Sequence, residues 1–305
     1  MMSIYFPIAG TALNLFLVLG LGGGIGVLSG IFGVGGGFLL TPLLMFIGIP
    51  PTVAVASGAN VVVASSVSGL IAHLRRANVD LHMGFFLIVG GGIGSGIGVF
   101  LSKLLITLGQ LDLTISLSYV VLLGSIGTLM FVESTRAMWP RKGRSAPRRL
   151  HQHHLLHRLP FKRRFRRSRL YISALLPIGL GIFGGVLTAS LGVGGGFVMV
   201  PAMIYLIGMP TNITVGTSLL QITLVSAAVT FLQAVSILSV DIILVLSLAL
   251  GSVVGAQFGA RIGTKIQGAQ LRFLLALIVI AVCVKVAFGL FQSPGDLFYL
   301  VPHLP

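Results

Sequence analysis

The chain has 305 residues, 55% of them hydrophobic and only 8% charged, with a mean hydropathy of +1.07. Soluble domains carry about a quarter charged residues, so a water-soluble globular fold is excluded and an integral membrane protein is expected. Twenty Lys and Arg against five Asp and Glu give a net charge of +15, and the lone Cys283 excludes an intramolecular disulfide framework and a Cys-based zinc site.

In chain order, no basic region precedes the first apolar stretch and no small-residue cleavage site follows it, so a retained helix is expected there rather than a removable signal peptide. Crossing a bilayer takes about 20 residues. Apolar runs of that length occupy residues 12–32, 53–74, 84–106, 113–132, 171–191, 213–234, 242–263 and 271–291. Two shorter runs, 38–49 and 197–209, each follow a cluster of glycines: "IFGVGGGFLLTP" at 31–42 and "SLGVGGGFVMVP" at 190–201. Between the fourth and fifth long runs lies a block holding 13 of the 20 Lys and Arg residues, from Ser134 to Leu170, with no acidic residue. The positive-inside rule makes this linker cytoplasmic. Phe161 and Phe165 among its arginines suit a surface of anionic lipid head groups better than nucleic acid. His151, His153, His154 and His157 lack Cys or carboxylate neighbours, so no metal site is expected.

The two sides of the linker resemble each other. Gly33 to Phe38 align with Gly192 to Phe197 and Pro42 with Pro201; Gly48 and Pro50 then meet Gly208 and Pro210. Further on, Ser57 aligns with Ser218, Asn60 with Gln221, Asp80 with Asp241, and Gly90, Gly94 and Gly98 with Gly251, Gly255 and Gly259. This is an internal duplication, dividing the chain into a first membrane repeat (1–133), a basic cytoplasmic linker (134–170) and a second membrane repeat (171–305). Each half reads as five helical segments, and an odd count turns the second copy over. The expected fold is an all-α integral membrane protein of two inverted repeats with broken or re-entrant helices at the GVGGG motifs. Both termini are expected outside the bacterial cytoplasmic (inner) membrane.

Inverted repeats with broken helices are a construction of secondary transporters. Three successive glycines cost roughly 1 kcal/mol each in a helix interior, so a break is the cheaper interpretation of GVGGG than a continuous helix. Non-helical backbone at membrane depth is tolerated only beside protein or a wet cavity. The short helix after each break begins with unpaired N–H groups at its positive end, which suits an anion. Gly33, Gly35, Gly36 and Gly37, with Gly192, Gly194, Gly195 and Gly196, are the candidate backbone site. No strand precedes either motif and no Lys-Ser/Thr follows it, which excludes a nucleotide-binding loop.

"ASGAN" and "GTSLLQ" open the next helix of each half. Ser57 and Asn60, and Ser218 and Gln221, share a helix face and, with Thr217, are candidate side-chain ligands; hydrogen bonding between helices is the competing role. Lys285 in the last run is either an anion attractant or a snorkelling side chain. His73, Lys103 and Arg261 fit helix ends. No Asp or Glu lies deep in a run, which argues against a carboxylate proton relay, and no nucleophile–base pair or metal cluster supports an enzyme.

The paired motifs "GIFGVGGGFLLTPLL" and "ASLGVGGGFVMVPAM", the "GTS" at 216–218 and the two-repeat layout resemble the sulfite exporter (TauE/SafE) family of bacterial membrane permeases. The resemblance implies export of small sulfur-containing anions such as sulfite or sulfoacetate, with no cofactor. The first copy reads "ASG" where the second reads "GTS", and the basic linker is not part of the family's motif. A channel-like anion pore, or a scaffold acting through the linker, are the alternative functions.

Overall fold

The structure, a computed structural model, describes residues 3–32, 36–138, 161–165, 167–168, 170–263 and 268–291. In the first half an antiparallel hairpin, β1 (Ser3–Phe6) and β2 (Thr11–Asn14), precedes α1 (Leu15–Phe32), α2 (Gly37–Phe46), α3 (Pro51–Arg75), α4 (Leu81–Thr107) and α5 (Leu111–Met138). In the second half the hairpin of β3 (Lys162–Phe165) and β4 (Leu170–Ser173) precedes α6 (Leu175–Leu191), α7 (Gly196–Ala202), α8 (Thr211–Ser236), α9 (Ile242–Gly263) and α10 (Gly268–Phe291). A π-helical turn, Met203–Ile207, extends α7.

Among the described residues six helices, α3, α4, α5, α8, α9 and α10, are clearly long and apolar enough to cross a membrane. Helices α1 and α6 begin later than the apolar runs at 12–32 and 171–191 and have 18 and 17 residues, at the short end of what crosses a bilayer. Residues 12–14 and 171–173 belong to strands, and an apolar run does not by itself distinguish strand from helix. Local side chains set the switch to helix: the Asn14 carboxamide oxygen accepts the Phe16 N–H at 3.0 Å, and the Ser173 hydroxyl accepts the Leu175 N–H at 3.3 Å.

Close packing at glycine fixes the direction of each helix. Gly22 and Gly26 of α1 press on Leu248 and Ser252 of α9, where an added Cβ would lie 2.4 and 2.2 Å from their carbonyl oxygens, so the two helices run parallel. Gly90, Gly94 and Gly98 of α4 face Ile178, Ile182 and Val186 of α6 in the same parallel sense. These four-spaced glycines act as the small contact residues of membrane helix pairs. Helix α4 is also parallel to α8, with Gly84 against Leu220 and Gly91 against Val225. By contrast α3 is antiparallel to α8: Gly69 faces Leu219, while the Thr223 hydroxyl donates to the Ser66 hydroxyl at 3.0 Å. Helix α5 is antiparallel to α10, with Gly124 against Cys283 and Gly127 against Val279.

Two consequences follow. Counterpart helices of the halves, α3 with α8 and α5 with α10, run in opposite directions, so the second half is turned over. Helices α6 and α8 are both parallel to α4, so the short segment between them must bring the chain back. It does so along α6: Met199 lies beside Gly184, and Met203 and Ile207 share a cluster with Leu176 and Leu180. In the same way α2 returns along α1, with Gly36 against Ser29 and Ile25, and Leu40 and Leu44 in a cluster with Val18. The second GVGGG motif is thus the tip of a re-entrant hairpin, and α1 and α2 pack as the corresponding hairpin of the first half.

Asp80 and Asp241, at loops as expected, tie these layers together. One Asp80 carboxylate oxygen accepts the N–H groups of His82 and Met83, capping α4; the other accepts the Ser168 N–H at 3.0 Å and its hydroxyl at 2.6 Å. Asp241 caps α9 through the Leu244 N–H and accepts the Ile8 and Ala9 N–H groups of the first hairpin turn. Each hairpin therefore plugs the end of one half, with buried Phe6 and Phe165 beneath it. Arg167 donates to the carbonyls of Ala77 and Val79 at 2.9 and 3.0 Å. The end of the basic segment is accordingly folded against the α3–α4 loop, and the β3–β4 hairpin spans the boundary expected at residue 170. Residues 139–160, with the four clustered histidines, lie outside the described residues.

Candidate functional site

The tips of the two re-entrant hairpins meet in the core. Phe38 and Phe197, the last residues of the two GVGGGF motifs, stack with centroids 4.4 Å apart and planes 6° from parallel. A Cβ on Gly37 would lie 2.8 Å from the Gly192 carbonyl oxygen, and one on Gly192 would lie 2.3 Å from that of Val55. Gly36, Gly192, Gly194 and Gly195 adopt positive φ of 60, 67, 75 and 70°, a backbone state that L-residues other than glycine avoid. At these described positions glycine is required because the backbone takes positive φ or because other backbone approaches within contact. Gly33 and Gly35 lie outside the described residues; Gly36, Gly37, Gly192, Gly194, Gly195 and Gly196 are all buried at this junction. Neither α2 nor α7 has a side-chain cap on its first turn.

The polar side chains divide into two groups. Asn60 donates to the Ala56 carbonyl at 2.9 Å, Ser218 to that of Val215 at 2.9 Å, and the Thr217 hydroxyl accepts the Asp80 N–H at 3.0 Å. These three have structural partners. Ser57 and Gln221 do not: both are 0% exposed, and among the described residues neither the Ser57 hydroxyl nor either polar atom of the Gln221 amide has a hydrogen-bond partner. Native proteins leave few such groups, since each carries a desolvation penalty of about 1–3 kcal/mol. Both adjoin the second break. The α3 residues around Ser57, Val55 and Gly58, touch Gly192, while the Gln221 amide nitrogen lies 3.4 Å from the Cβ position of Gly184 and its neighbour Ile222 packs on Gly194.

Lys285 stands apart. It is exposed on α10, with its Nζ 4.6 Å from the centroid of Phe46 at the C-terminal end of α2. A cation there interacts favourably with the helix end and the ring face, and it is not brought to the breaks.

Two residues that the sequence reading did not single out hold the second break. The buried Tyr119 hydroxyl of α5 donates to the Leu191 carbonyl, and the Gln233 amide of α8 donates to the Ala189 carbonyl at 3.0 Å. They satisfy carbonyls that α6 leaves unpaired where it stops. A lone tyrosine inside the 113–132 apolar run was the available signal, since a buried phenol seeks a hydrogen-bond partner.

A family model described as "Sulfite exporter TauE/SafE" matches residues 17–286, both halves and the linker between them. The chain belongs to the TauE/SafE family. It is 28% identical over 287 residues to a probable membrane transporter protein of Xylella fastidiosa, covering 93% of this chain and 98% of the relative. It is 27% identical to two Bacillus subtilis proteins, the probable membrane transporter proteins YjnA and YunE, over 259 and 277 residues; the matches cover 84% and 88% of this chain and 93% and 95% of those proteins. No solved structure matches significantly. Like these TauE/SafE relatives, the protein is a multi-pass membrane transporter.

Proposed function

We propose that this TauE/SafE protein exports small sulfur-containing anions, sulfite or organosulfonates such as sulfoacetate, by alternating access around a site where the two glycine breaks meet. The observation that carries this reading is the pair of buried, unpartnered polar side chains, Ser57 and Gln221, beside the second break. A hydroxyl and a carboxamide offer O–H and N–H donors to an oxyanion without holding it as tightly as a fixed cation would. In this reading the backbone of the described glycines Gly36, Gly37, Gly192, Gly194, Gly195 and Gly196 lines the site. Asn60, Thr217 and Ser218, which already have structural partners, are assigned a secondary part in this reading. The sulfur in the substrate is taken from the family description alone.

The protein lies in the bacterial inner membrane, with the 134–170 segment cytoplasmic, against anionic lipid head groups over its basic stretch, and both termini outside. An interior-negative potential drives an anion outward, which suits an exporter. Uptake and counterflow of labelled sulfite and sulfoacetate in proteoliposomes test the reading. Saturable counterflow that responds to an imposed potential is expected; flux of neither anion through folded protein would break it.

A further inference from the structure

A small cavity of about 10 Å³ lies on the far side of the second break, lined by Thr52, Ser102, Ser190, Gln233 and Ser239 together with apolar side chains. Its volume corresponds to one particle about the size of a water molecule. None of its lining residues is charged. Gln233 is only 3% exposed, and its amide nitrogen is committed to the Ala189 carbonyl. That bond fixes the amide orientation, because the reversed amide would set oxygen against oxygen. Among the described residues the amide oxygen then has no partner, and neither does the buried Ser190 hydroxyl. An amide oxygen only accepts, so its complement is a donor or a cation.

The helix ends around the cavity favour a cation. Ser190 belongs to the last turn of α6, Gln233 to the last turn of α8, and Ser102 to the last two turns of α4. Three helices thus direct the negative ends of their dipoles here, against the first turns of α3 at Thr52 and α5 at Leu111. Helix α6 is the half-helix that stops at a break, and C-terminal ends of discontinuous helices coordinate small monovalent cations in other membrane transporters.

We propose that this cavity is a binding site for a monovalent cation the size of Na⁺, with the Gln233 amide oxygen and the hydroxyls of Ser190, Ser102, Thr52 and Ser239 as its ligands. Through Ala189 and Gln233 the cation sits directly behind the α6 end of the second break. Cation binding stands independently of the sulfur-anion reading; its coupling to transport rests on that reading.

The test uses the purified full-length protein without any sulfur anion, comparing thermal unfolding in sodium chloride and choline chloride at equal ionic strength. Sodium is expected to raise the Tm by about 2–4 °C with a saturating dose dependence. Gln233→Leu and Ser190→Ala should remove this difference. Ser190→Ala is the decisive variant, because that hydroxyl makes no hydrogen bond whose loss could itself unfold the protein. Equal Tm values in both salts, as a simple bound water predicts, would overturn the proposal, and so would an undiminished sodium effect in Ser190→Ala. Neither result depends on whether sulfite or sulfoacetate is carried.

Discussion

Gln221 and Gly192 illustrate opposite reasons for a residue at the junction. Gln221 is buried with both amide atoms unpartnered, an arrangement unfavourable for stability unless a ligand completes it. Gln221→Leu should therefore leave the Tm of the ligand-free protein unchanged or raised by about 1–3 °C, since it removes an unsatisfied polar group of similar size. It should also raise the apparent KM for sulfoacetate about tenfold, the effect of losing roughly 1.4 kcal/mol of binding. A lower Tm with unaltered kinetics would return Gln221 to a packing role. Gly192 has φ of +67° and leaves no space for a methyl group against the Val55 carbonyl. Gly192→Ala should destabilise the fold by at least about 1–2 kcal/mol from backbone strain alone, seen as a lower Tm in detergent. The sequence made both positions visible but did not separate them: a glycine and a carboxamide side chain recur in a duplicated pattern whether the cause is a ligand or a contact. Partner accounting distinguishes Gln221 from Asn60, its counterpart, whose amide bonds back to its own helix.

Among the elements, the hairpins are where sequence reading fell short. Strands β1 to β4 have four residues each, and β2 and β4 lead into the apolar helices α1 and α6 within the same apolar runs, so nothing in the local pattern separates strand from helix there. Long helices, glycine breaks and the loops at Asp80 and Asp241 were legible because length, a run of glycines and an isolated charge each have few structural solutions in a membrane. The link from Asp80 to Ser168 was not legible, since it joins residues 88 apart. The double duty of these carboxylates yields a prediction: Asp80→Ala removes a helix cap and a hairpin anchor together, and should destabilise by about 2–4 kcal/mol, the sum of a cap and a charged hydrogen bond. Asp241→Ala should behave alike, while Asp112→Ala, in the exposed first turn of α5, should cost much less. Thermal unfolding of the three variants checks this order.

For the whole molecule, the opposed directions of α3 and α8 and of α5 and α10 make the second half an inverted counterpart of the first. Each half has an odd number of crossings whether its first two helices are counted as two segments or as one returning hairpin, so the parity argument holds. Basic residues contribute mainly beyond this frame. Deleting residues 141–160 should leave counterflow within about twofold of the intact chain, whereas extending the deletion to 169 removes Arg167 and Ser168 from the α3–α4 loop and should lower both flux and Tm. Flux lost with the shorter deletion, from correctly inserted protein, would give the linker a direct role. The most direct test of the central claim compares wild-type protein with the Ser57→Ala, Gln221→Leu double variant in oriented proteoliposomes, measuring sulfoacetate and sulfite counterflow across a concentration series. The account predicts saturable wild-type counterflow and, in the double variant, a KM raised by tenfold or more at preserved insertion and Tm. Equal KM values in the two proteins would contradict a substrate site at the meeting point of the breaks.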